Sequence, residues 1–182
     1  STGTAIDVSG NVTTVGGIIT FNDPLNLLGA GLTINGGASG ITFNDVADFG
    51  AGNHILIGGE TFIDAAISGT GTVTFRPTAT FNITIGVADA GSYEFTPSEL
   101  ANISDGFAGI VIGSAAGSET VTIGGSSTFT DPLTLQSPTG SVFINAPLIG
   151  SGNASVSIVA ANAANSVGLG SSITTAGQSV TI

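Results

Sequence analysis

Chemistry in this chain has to come from carboxylates, because other reactive side chains are nearly missing: one His, one Arg, no Cys and twelve Asp and Glu in 182 residues. His54 begins the apolar run His54-Ile55-Leu56-Ile57 and reads as a partly exposed residue at the start of a strand. No second His exists to complete a zinc site. Asp45, Asp48 and Asp64 are spaced so that neighbouring coils of chain could bring them to one side, and paired acids are what glycoside hydrolysis needs. The structural reading is the stronger one. Asp23, Asp45 and Asp131 are expected at equivalent corners, their side chains capping the local backbone.

Corner carboxylates could collect calcium weakly, but the G-G-x-G-x-D repeat of dedicated calcium coils is missing, so no cofactor is expected. Thr72-x-Thr74, Thr78-x-Thr80 and Thr120-x-Thr122 lie 6 and 42 residues apart. A flat ice-facing array needs such a motif on every coil, so these are read as ordinary strand threonines. Sequons at Asn11, Asn82, Asn102 and Asn153 carry little weight in a chain so rich in Ser and Thr. Catalysis is not expected.

The elements that must position these residues are short. Strands are predicted at Ile110 to Ile112, Thr120 to Ile123, Thr128 to Thr130 and Leu133 to Leu135, each alternating apolar with small or polar residues and each cut by Gly, Ser or Asp-Pro. The same pattern gives strands at 4–9, 12–15, 18–21, 32–34, 40–43, 54–57, 61–63, 72–75, 78–85, 142–144, 155–159, 167–169 and 179–182. Residues Ala47 to Asn53 read as a protruding loop. Repetition then sets the architecture. Asp23-Pro24-Leu25-Asn26-Leu27 follows Phe21 as Asp131-Pro132-Leu133-Thr134-Leu135 follows Phe129, with Pro24 and Pro132 expected at the same place in their coils. Phenylalanines recur at 19 or 22 residues (Phe21, Phe43, Phe62, Phe81; Phe107, Phe129). A coil of about 20 residues gives roughly nine turns and a rod about 43 Å long. The expected fold is therefore a single all-β domain over residues 1–182, a parallel β-solenoid (β-helix), right-handed as parallel crossovers are. One segment breaks the rhythm: Thr96-Pro97-Ser98-Glu99 is a capping box with proline at the first helical position, predicting a short helix over 97–103 that Gly106 can end.

Composition bounds the function. With 41% hydrophobic residues the chain is not disordered for want of a core, and its 29 glycines suit frequent corners. Mean hydropathy is +0.52. Even so, runs such as Ile110-Val111-Ile112 are bracketed by glycine, and none approaches the roughly 18 to 20 residues a membrane span needs. Strands this short, with 6% aromatics, do not suit an outer-membrane barrel either. A formal charge of −11 repels nucleic-acid phosphates and anionic lipid. Lack of cysteine suits a protein that crosses an oxidising periplasm unfolded. No basic region followed by an apolar core opens the sequence, so a signal peptide is taken to be removed or to lie upstream.

Residues Tyr93 through Ala160, above all F-T-P-S-E-L-A-N-I-S-D-G-F-A-G-I-V-I-G-S-A-A-G-S-E-T-V-T-I-G-G-S-S-T-F-T-D-P-L-T-L-Q-S-P, resemble the repetitive tail regions of large cyanobacterial filamentous-haemagglutinin-like exoproteins. The resemblance implies secretion by a two-partner or related route, a right-handed β-helix, and a role as cell-surface adhesin or extracellular fibre. The family's secretion domain, with its N-P-N-G-I type motif, is not in this sequence. Both ends read as interior coil, without the helix or polar repeat that usually covers a solenoid rim. Thr4, Ile6 and Val8 at one end and Val180 and Ile182 at the other are the expected self-assembly edges. The expected function is a structural subunit or stalk of an extracellular or cell-surface filament, polymerising head to tail with copies of itself. The other reading is a module binding or cleaving extracellular polysaccharide through the acidic side.

Overall fold

The computed structural model describes residues 4–78, 81–161 and 166–182. Its strands build five sheets that share one long axis. Sheet I holds β1 (Ile6–Val8), β4 (Leu25–Leu27), β7 (Ala47–Asp48) and β10 (Ile67–Ser68). Sheet II is the longest and carries one strand from every turn: β2 (Val12–Thr13), β5 (Thr33–Asn35), β8 (His54–Gly58), β11 (Thr72–Pro77), β14 (Gly109–Gly113), β17 (Leu133–Ser137), β20 (Val156–Ala160) and β23 (Val180–Thr181). Sheet III holds β3 (Ile19–Phe21), β6 (Ile41–Phe43) and β9 (Thr61–Ile63). Sheet IV is ordered β13 (Tyr93–Phe95), β12 (Ile83–Ile85), β15 (Thr120–Ile123), β18 (Ser141–Ile144) and β21 (Val167–Leu169), and sheet V holds β16 (Ser127–Phe129), β19 (Leu148–Gly150) and β22 (Ile173–Thr175). Every strand pair in these sheets is parallel, so the chain is a parallel β-solenoid.

The eight strands of sheet II make eight turns, one fewer than a 20-residue coil predicts. Most turns are longer than 20: Ile34 pairs with Leu56, Ile110 with Leu133, and Val156 with Val180. Alternation explains the register, because a slip of one residue would turn every apolar side chain outward. Val12, Ile34, Leu56, Phe75, Ile112, Leu135 and Ile158 form one unbroken interior column. Phe21 and Phe43 are ladder partners whose rings stack 5.5 Å apart, as their 22-residue spacing implied. Phe62 is different. It pairs with Thr42 and points outward, while Ile63 takes the interior place over Phe43.

Several expected features change. The segment 47–53 does not protrude, because Ala47 and Phe49 are buried and Ala47–Asp48 is a strand of sheet I. The strand expected over 78–85 is shorter, running over Ile83–Ile85, and residues 79 and 80 of that stretch lie outside those described. Pro24 and Pro132 do not occupy the same place. Asp23-Pro24 leads from sheet III into sheet I, whereas Asp131-Pro132 leads from sheet V into sheet II. The motif ends one strand and starts another by local turn geometry, so it serves at either corner.

The helix α1 (Pro97–Ala101) forms with the expected capping box. The Glu99 amide donates to Thr96 Oγ1 at 3.3 Å, and the Thr96 amide donates to Glu99 Oε2 at 2.8 Å. It ends at Ala101 with Asn102 as its C-cap, earlier than Gly106. The turn that carries α1 is the longest, Val73 pairing with Ile110, and it folds back on itself: β13 follows β12 in sequence but lies outside it in sheet IV.

Candidate functional site: rims, corners and a carboxylate joint

Every interior column ends at a rim. At one rim Ile6 lies on Leu25 and Val8 on Leu27, and among the described residues no strand covers the other side of β1, β2 or β3. At the opposite rim β21, β22 and β23 are bare in the same way, with Val180 on Val156 and Leu169 on Ile144. Burial follows position in the stack. Ile144 has no exposed surface, whereas Leu169, one layer further out, is 56% exposed. Of the five expected edge residues, Ile6 and Val180 are exposed strand residues and Val8 is half-buried in β1. Thr4 and Ile182 are exposed just outside their strands.

Asp45, Asp48 and Asp131 accept from backbone amides. Asp45 Oδ1 accepts from the Val46 amide and Asp48 Oδ1 from the Gly50 amide, each at 2.8 Å. Asp48 lies in sheet I, in register with Asn26, while Asp45 and Asp64 follow β6 and β9, so the three do not form one row. Asp131 is fully buried and accepts from the Gly106 amide at 3.1 and 3.2 Å. Burial pushes its carboxyl up, against hydrogen bonds from Gly106 and Phe107 that hold it down. Among the described residues no group of three or more His, Asp or Glu is placed to hold a metal ion.

His54 is not the partly exposed residue expected. It is buried, its ring edge-on to Phe49. Nδ1 accepts from the Leu32 amide at 3.1 Å, and Nε2 lies 2.8 Å from the Phe49 carbonyl. Those two partners require the neutral ring with its proton on Nε2, and burial accordingly lowers the pKa. Period-two alternation places His54 on the same side as Leu56, which is the signal in the sequence for its burial.

One joint in the rod is marked by no local pattern in the sequence. Sheets III and IV meet where β13 lies against β9, and side chains bridge them in place of a backbone ladder. Glu60 Oε1 accepts from the Thr61 amide and Oε2 from the Glu94 amide, both at 2.9 Å. Thr61 and Tyr93 share a hydroxyl hydrogen bond of 2.6 Å, and Asn102 Nδ2 donates to the Ile63 carbonyl at 2.7 Å. Glu99 Oε1 accepts from the Ile63 amide at 3.4 Å. Burial pushes Glu60 up to about 7, with Glu99 and Glu94 adding to the rise. Beside the joint is a cleft of about 340 Å³ lined by Phe62, Phe81, Glu60, Glu94 and Ser92.

Fold and rims together define the class, a parallel β-solenoid in which one ladder, sheet II, runs through all the described turns. No family model, curated protein or solved structure matches the chain.

Proposed function

We propose that this chain is a structural rod of an extracellular or cell-surface filament or adhesin stalk, in which copies stack rim on rim. One observation carries the reading: the sheet II ladder runs parallel and in register from the first described turn to the last, and no described strand covers either end. A further layer would pair with the free strand edges and cover Leu169, Val180 and Ile182. Such a contact joins unlike surfaces and does not close on itself, so it makes fibres. Residues 132–182 contain no charged side chain, so the later rim meets the earlier, acidic one without like-charge repulsion. Negative-stain microscopy over a concentration series tests this. Filaments many rods long are expected, and rods no longer than one copy at every concentration would remove the proposal.

A second reading is favoured by the cleft beside the joint, where the ring of Phe62 is exposed next to Phe81 and two carboxylates. This is an alternative place for sugar to bind, with the rings as stacking surface. Binding on a glycan array that Phe62→Ala abolishes would support it, and an array with no signal would dispose of it.

A further inference from the structure

We propose that sheet II is a lateral interface, by which two copies pair face to face and antiparallel. None of the twelve acidic residues falls in its eight strands, where Arg76 is the one charged side chain besides the buried His54. On a chain of charge −11 that is a wide acid-free strip. Thr33, Ile55, Thr74, Val111, Thr134 and Ser157 run along its outer side in consecutive register, all half-buried by one another. The row is β-branched at five of six positions and unbroken by the long turn.

Area and charge select the occupant. Eight strands of two to six residues, stacked about 4.8 Å apart, present about 520 Å² per copy, or about 1,050 Å² for a pair. A biological interface needs about 1,000 Å², and one near that floor pairs weakly and reversibly. The strands of sheets III and V are also free of acids, but three short strands each fall well below that size. Orientation follows from the charge gradient. All acids precede residue 132, so parallel pairing sets acidic turns beside acidic turns within a Debye length of about 10 Å. Antiparallel pairing sets each copy's uncharged turns, β17, β20 and β23, against the partner's acidic ones. A two-fold axis between Thr74 and Val111 then brings Thr33 opposite Ser157 and Ile55 opposite Thr134.

The chain has no cysteine, so single-cysteine variants are clean probes. Facing sheets lie about 10 Å apart, which suits a short bis-maleimide better than a disulfide. Thr33→Cys mixed with Ser157→Cys should cross-link, and Thr33→Cys alone should not. In sedimentation velocity Val111→Glu should weaken pairing about tenfold or more, since it buries a charge against the uncharged Thr74 of the second copy. Thr128→Glu, exposed on sheet V, should leave pairing unchanged. Thermal midpoints by circular dichroism identify any variant that fails to fold, and Ile55→Lys then substitutes for Val111→Glu. Cross-linking of Thr33→Cys to itself would overturn the orientation and the proposal with it. So would a monomer at all concentrations, or association that survives Val111→Glu and is lost in Ile182→Asp. End-to-end stacking gives longer rods, whereas lateral pairing gives rods of unchanged length and doubled mass, so either can fail alone.

Discussion

His54 and Asp131 are buried polar groups that satisfy backbone atoms, Asp131 also bonding the Asp105 side chain, and this decides what their removal does. In His54→Ala the Leu32 amide and Phe49 carbonyl lose their partner inside the rod, at a cost of about 3 kcal/mol in urea unfolding. Asp131→Ala strands the Gly106 amide and is expected to cost about 2 kcal/mol in the same assay. Titration adds a sign. The folded His54 pKa is lowered, so the native state binds fewer protons than the unfolded chain. Its contribution is complete above the ordinary value of 6.5 and is lost as pH falls, a slope that His54→Ala should abolish.

The joint between sheets III and IV has the opposite pH dependence. Folded Glu60 titrates near 7 against an ordinary value of 4.5, so the native state holds the extra proton between those values. Its contribution is complete below 4.5 and is lost as pH rises through about 7. Thermal midpoints should therefore decline over that window in the native chain, and Glu60→Gln should flatten the decline. The variant should also be less stable at pH 5, because an amide nitrogen cannot accept the second backbone hydrogen bond. Strands such as Thr120–Ile123 and the Thr96–Glu99 capping box were legible because alternation and capping are local patterns. The joint was not. It depends on β13 folding back outside β12, so that Glu60 meets Glu94 across 34 residues, and no local pattern encodes that pairing.

At the scale of the rod, interior columns make stability depend on close approach between successive turns. Gly113 has a φ of 108°, and a methyl group there would run into the Gln136 carbonyl of the next turn. Gly113→Ala combines left-handed strain with overpacking and should cost about 3 kcal/mol by urea unfolding. The rims respond differently, because nothing among the described residues covers them. Ile182→Asp places a charge on a side chain that is already 62% exposed, so it should leave the melting temperature within error. Stacking rim on rim would bury that charge without a partner, which costs several kcal/mol per contact. Microscopy should then show filaments shortened to the length of one rod at unchanged fold stability. A variant that polymerises as well as the parent would mean that the contact lies elsewhere on the rod.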